Sequence, residues 1–113
     1  MNESSFLMGR ATIVTGGSRG IGFATARALR IAGADVLISG RSREALNRAV
    51  DRIQQDTGEE CPGRISALVA DVGDVDQAQK LVDEASEQFG GVDILINNAG
   101  VGRFGPLEEL SVE

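Results

Sequence analysis

Short runs of aliphatic and β-branched residues alternate along this chain with longer stretches whose apolar positions recur every three or four residues. Ala11 to Thr15 (A-T-I-V-T) is such a run, ends in glycines, and reads as a buried strand. Ile21, Ala24, Ala28, Leu29 and Ala32 follow at the spacing of one helical face, and Gly33 stands where a helix C-cap favours glycine. Asp35 to Ser39 predicts a second strand. Ser42 then caps a second helix with Ala45, Leu46, Ala49 and Ile53 as its apolar face. Asp56 to Gly63 is rich in turn residues and predicts a loop. Ile65 to Ala70 predicts a third strand that ends at Asp71. Asp74 with Gln77 has the form of a capping box, and the helix it opens shows Val75, Ala78, Leu81, Val82, Ala85 and Phe89 on one side. Val92 to Ile96 predicts a fourth strand, running into Asn97-Asn98-Ala99-Gly100.

Strands that alternate with helices of ten or more residues call for parallel pairing with right-handed crossovers. The expected fold is therefore α/β, a doubly wound parallel sheet with four strands and three helices. No linker or internal repeat divides residues 1–113, so a single domain is expected. The composition, 42% hydrophobic and 25% charged, supports a packed core. A net charge of −6 argues against general affinity for nucleic acid or anionic membrane. The single cysteine, Cys61, allows no internal disulfide and reads as a loop or helix-end thiol. The first ten residues have no apolar run of the signal-peptide kind, and no stretch approaches the ~18 apolar residues of a membrane span. A cytoplasmic location is expected. The absence of histidine excludes imidazole metal sites and His-based acid–base dyads.

The chemistry-bearing segment is Thr15-Gly16-Gly17-Ser18-Arg19-Gly20-Ile21-Gly22, which joins the first strand to the first helix. Such a turn leaves backbone N–H groups free at a helix N-terminus, where the dipole favours phosphate. Gly16 permits the tight turn, Gly20 lets the backbone approach a pyrophosphate, and Gly22 lets the helix pack close to the sheet. A P-loop would need lysine and Ser/Thr after its last glycine, and Ile21 and Gly22 are neither. The pattern T-G-x-x-x-G-x-G, carried by Thr15, Gly16, Gly20 and Gly22, resembles the signature of the short-chain dehydrogenases/reductases. Asn97-Asn98-Ala99-Gly100 is similar to that family's second hallmark, and Asp71-Val72 to its adenine-contacting position. These motifs span Ala11 to Gly100 in the family's order but cover only the first, cofactor-binding part of its Rossmann-type domain.

The resemblance implies a nicotinamide dinucleotide held by Gly16, Ser18, Arg19, Gly20, Ile21 and Gly22, with Asp71 and Val72 at the adenine, Asn98 in contact with the cofactor and Gly100 giving the backbone room beside the ribose. An NAD-selective site carries Asp or Glu about 20 residues beyond the glycines. Here the second strand ends in Ser39-Gly40-Arg41-Ser42, without an acid. Arg41 offers a guanidinium fork suited to a 2′-phosphate, and Arg19 adds a second cation from the glycine turn. NADP(H) is therefore expected ahead of NAD(H). Asp71 has a competing role as a cap for the loop before Asp74. Asn97 and Asn98 suit side-chain-to-backbone ties better than chemistry.

Family members transfer hydride between the cofactor and a carbonyl or alcohol, using a serine, a Tyr-x-x-x-Lys pair and a further asparagine. This chain contains no tyrosine, and its only lysine, Lys80, falls on the third helix as a solvated residue. No catalytic residue is assigned, and the chain reads as the truncated front of a longer oxidoreductase. The tail from Val101 to Glu113 resembles a loop leading to a further helix, with Phe104 and Leu107 normally covered. The fourth strand would then be an uncovered edge, which predicts self-association. Two other readings stay open: a non-catalytic dinucleotide-binding sensor, and a structural fragment without function. The motifs do not read the substrate.

Overall fold

A computed structural model describes residues 6–18, 20–58, 60–71 and 73–98. The elements run β1 (Ala11–Thr15), α1 (Gly20–Ile31), β2 (Asp35–Gly40), α2 (Arg43–Thr57), β3 (Ile65–Val69), α3 (Val75–Phe89) and β4 (Ile94–Asn97). All strand pairs are parallel, in the order β3-β2-β1-β4. β1, flanked on both sides, is buried throughout, which explains its unbroken apolar and β-branched sequence. Alternate residues of the strands feed two cores. Val14, Val36 and Ile38 meet Ala26 of α1 and Leu46, Ala49 and Ile53 of α2 on one face. Ile13 and Leu37 meet Leu81 and Ala85 of α3 on the other. Helices thus cover both faces, as a doubly wound sheet requires. The expected α/β class is the observed one.

Local chemistry sets the helix ends. Ser42 caps α2, its hydroxyl accepting from Ala45 N at 3.1 Å. Asp74 caps α3 by accepting from Asp76 N at 2.9 Å. The reciprocal half of the expected capping box does not form. Gln77 Oε1 instead accepts from Asp71 N at 2.7 Å, tying the helix to the end of β3. β4 begins two residues later than expected because Asp93 is held at the foot of β1. Its N–H donates to Ala11 O at 2.7 Å and its carboxylate accepts from Ala11 N at 2.8 Å.

The first helix corrects the sequence expectation more deeply. Its buried residues are Gly22, Ala26 and Arg30; of the expected face, Leu29 packs against the core and Ala32 is buried, whereas Ile21 is 71% exposed and Ala24 and Ala28 are also exposed. The face that periodicity singled out lines an open apolar groove of about 530 Å³, closed on one side by Phe6 and Leu7. The helix starts tight against the glycine turn, where a Cβ on Gly22 would stand 2.1 Å from Gly16 O, so only small residues fit inward at that end. Apolar periodicity cannot register that. Arg30 is buried because its Nε donates to Gly63 O at 2.9 Å and its guanidinium also reaches Thr57. Beside it the half-buried Cys61 thiol donates to Arg30 O at 3.0 Å. Among the described residues, no helix is long and apolar enough to cross a membrane.

Candidate functional site

Strand order 3-2-1-4 makes the chain change its direction of growth between β1 and β4. In open α/β sheets the crevice outside the carboxyl ends at such a switch point receives ligands. The glycine turn leaves the end of β1 here, and Asn97-Asn98 leaves the end of β4.

The turn is built from backbone. Gly16 and Gly20 hold φ of +67° and +61°, values that L side chains rarely adopt. Gly16 N and Gly17 N both donate to Ser39 O, at 2.9 and 3.1 Å, which anchors the turn on β2. A Cβ on Gly17 would stand 2.7 Å from Ile38 Cβ, and one on Gly22 would stand 2.1 Å from Gly16 O. Both positions exist in this form only as glycine. Gly20 differs: a Cβ there would meet nothing within 4 Å among the described residues and would project into space open to them. That open space, beside the N-terminus of a twelve-residue helix with no acidic residue in its first turn, fits a phosphate group.

The end of β4 braces the same turn. Thr15 Oγ1 donates to Asn97 Oδ1 at 3.0 Å and accepts from Asn98 N at 2.8 Å. Asn98 Nδ2 donates to Gly16 O at 3.3 Å. Both asparagines tie loops together, and Thr15 is the hub of the tie. In sequence Thr15 belongs to the glycine motif, but no neighbouring residue gives its hydroxyl a task. The requirement for glycine at 17 is likewise not visible in sequence, because it depends on Ile38, a residue of another strand.

Ser18 is half-buried beside the end of β2, within 3.9 Å of where a Cβ on Gly40 would lie. Arg41 is exposed at that end and forms no ion pair among the described residues. Asp71 is exposed beyond β3, but Oδ1 accepts from Gly73 N at 3.0 Å, so part of its carboxylate serves the local turn. Arg19, Val72 and Gly100 lie outside the described residues, as does the tail with Phe104 and Leu107.

A parallel, doubly covered sheet with a glycine turn at its switch point defines a Rossmann-type nucleotide-binding domain. Comparison with known proteins is more specific: the family described as short chain dehydrogenase matches residues 10–113. The chain belongs to that family of oxidoreductases. It is 43% identical over 112 residues to a probable tetrahydroxynaphthalene reductase of Zymoseptoria tritici, an alignment that takes in 98% of this chain and 40% of the relative. Among solved structures, a short chain dehydrogenase of Burkholderia cenocepacia in complex with NADP matches at TM-score 0.74 and 42% identity, over 92% of this chain and 41% of that one. A short chain dehydrogenase of Mycobacterium smegmatis matches at TM-score 0.78 and 32% identity, over 96% and 44%. The chain thus spans about 40% of the length of the curated relatives it matches.

Proposed function

We propose that this chain binds NADP(H) at the carboxyl ends of β1, β2 and β4. It is the cofactor-binding part of an oxidoreductase that transfers hydride between NADP(H) and a carbonyl or alcohol. The observation that carries the cofactor choice is the end of β2. Gly40 has no side chain there, and the exposed Arg41 has no carboxylate partner among the described residues. A 2′-phosphate satisfies that guanidinium, whereas the plain ribose of NAD does not. The bound NADP in the Burkholderia cenocepacia relative supports the reading. In this assignment Gly16, Ser18, Gly20 and Ile21 face the pyrophosphate, Gly22 holds the helix close against the turn, and Arg19 adds a cation. Asp71 and Val72 meet the adenine; Asn98 and Gly100 lie beside the ribose.

The cofactor, when bound, supplies the hydride; this chain's own residues bind and orient it. The chain has no tyrosine to act as proton donor, and Lys80 is exposed on α3. Its single, half-buried cysteine suits a reducing compartment such as the cytoplasm.

Fluorescence titration of the chain with NADPH and with NADH tests the reading. NADPH is expected to bind more tightly. Replacing Arg41 by Asp together with Arg19 by Ser is expected to cost about a hundredfold in NADPH affinity and little for NADH, since two charge-assisted hydrogen bonds are lost. Equal losses for both cofactors would refute it. A second consequence concerns assembly. Among the described residues β4 pairs only with β1, and its Leu95 is 56% exposed. Such an edge favours pairing with another chain. Sizing chromatography of the 113-residue chain is expected to show concentration-dependent self-association, and a sharp monomer peak with cooperative melting would count against it.

A further inference from the structure

We propose that Arg48, on the outer side of α2, is a further cation of the 2′-phosphate subsite and helps set cofactor choice; the inference rests on the NADP(H) reading above. A cleft of about 460 Å³ lies between the glycine turn and α2, lined by Ser18, Ala45, Arg48, Arg52 and Gln55. Ser18 connects this cleft to the end of β2. A Cβ on Gly40 would come within 3.9 Å of Ser18 Oγ and 3.5 Å of Leu46 Cδ2, so the tip of the strand adjoins a residue that lines the cleft. That tip lies about 20 residues beyond the glycines, where cofactor-discriminating groups of a dinucleotide site act.

The two arginines of the cleft are not equivalent. Arg52 Nε pairs with Asp56 at 3.6 Å, and its guanidinium stands 6.0 Å from the Phe23 ring centroid. Its charge is already compensated. Arg48 has no ion pair or hydrogen bond among the described residues, although Glu44 and Asp51 lie one turn to either side of it on the same helix. Long helical side chains lean toward the helix N-terminus, which carries Arg48 over the turn holding Ala45 and toward Gly40. An unpaired guanidinium that shares a cleft with Ser18, in a chain of net charge −6, is suited to a phosphate dianion, and its place next to the end of β2 favours the 2′-phosphate over the pyrophosphate.

Isothermal titration with adenosine 2′,5′-bisphosphate and with 5′-AMP isolates this half of the cofactor. Arg48→Gln is expected to weaken the bisphosphate about tenfold, the loss of one charge-assisted bond, and to leave 5′-AMP binding and the melting temperature unchanged. Arg48→Lys should recover part of that affinity, and Arg52→Gln should not change the ratio between the two ligands. If Arg48→Gln leaves the ratio intact while Arg41→Asp lowers it, the Arg48 assignment fails and the NADP(H) reading survives. If the unaltered chain shows no preference for the bisphosphate, or binds neither nucleotide, both fail.

Discussion

Gly22→Ala is expected to cost the protein about 3 kcal/mol of stability and to abolish measurable cofactor binding, the upper end of what overpacking a tight contact costs. The new methyl would lie 2.1 Å from Gly16 O, 2.9 Å from Gly16 C and 2.7 Å from Asn98 Nδ2. Relief requires backbone movement, because the contact is with a carbonyl and not with the end of a flexible side chain. The turn is poorly placed to move. Its amides are bonded to Ser39 O, and Gly17 is wedged against Ile38 on its other side. Shifting Gly16 also breaks the Asn98 bond that joins β4 to the turn. Against a typical domain stability of about 5–15 kcal/mol, such a loss is readily measured by urea denaturation.

Gly20→Ala separates the two consequences. Its Cβ would touch none of the described residues, so the cost is that of the left-handed backbone, about 1–2 kcal/mol. That variant should stay folded yet lose affinity, since the methyl occupies the volume assigned to phosphate. A folded Gly22→Ala that binds NADPH normally would overturn the close-approach argument. A Gly20→Ala that binds normally would remove the phosphate from that volume.

How much of this was legible in the sequence depended on whether the determinant was local. Strand positions, the caps at Ser42 and Asp74 and the glycine turn were legible because each is dictated by residues adjacent in the chain. The inward face of α1 was not. Apolar periodicity ranks Ile21, Ala24 and Ala28 above Gly22, while the close approach of the glycine turn puts Gly22 inward. Arg30 is buried only because Gly63 O and Thr57, both distant in sequence, satisfy it. The same holds for the candidate site. Gly16, Gly20 and Gly22 announce themselves as a motif, but the Thr15 hydroxyl hub and the Ser18–Arg48 cleft exist only once β4 and α2 are docked.

Gly40→Asp is expected to reverse cofactor preference, changing the NADPH-to-NADH affinity ratio by about a thousandfold. Two effects of the same sign add. A carboxylate at the tip of β2 can accept from both ribose hydroxyls of NADH, the arrangement that NAD-selective sites use. Against the 2′-phosphate of NADPH it sets like charges side by side, a penalty of several kcal/mol. The fold should tolerate the change. Gly40 does not hold a positive φ, and a Cβ there makes only ordinary contacts, 3.5 Å to Leu46 and 3.9 Å to Ser18. The ladder bonds of β2 need no adjustment, so the melting temperature should move by only a few degrees. Titration of the variant with both cofactors, in parallel with thermal melting, gives the answer. A stable variant that still prefers NADPH would show that the tip of β2 does not face the ribose, and the assignments of Arg41 and Arg48 would fall with it.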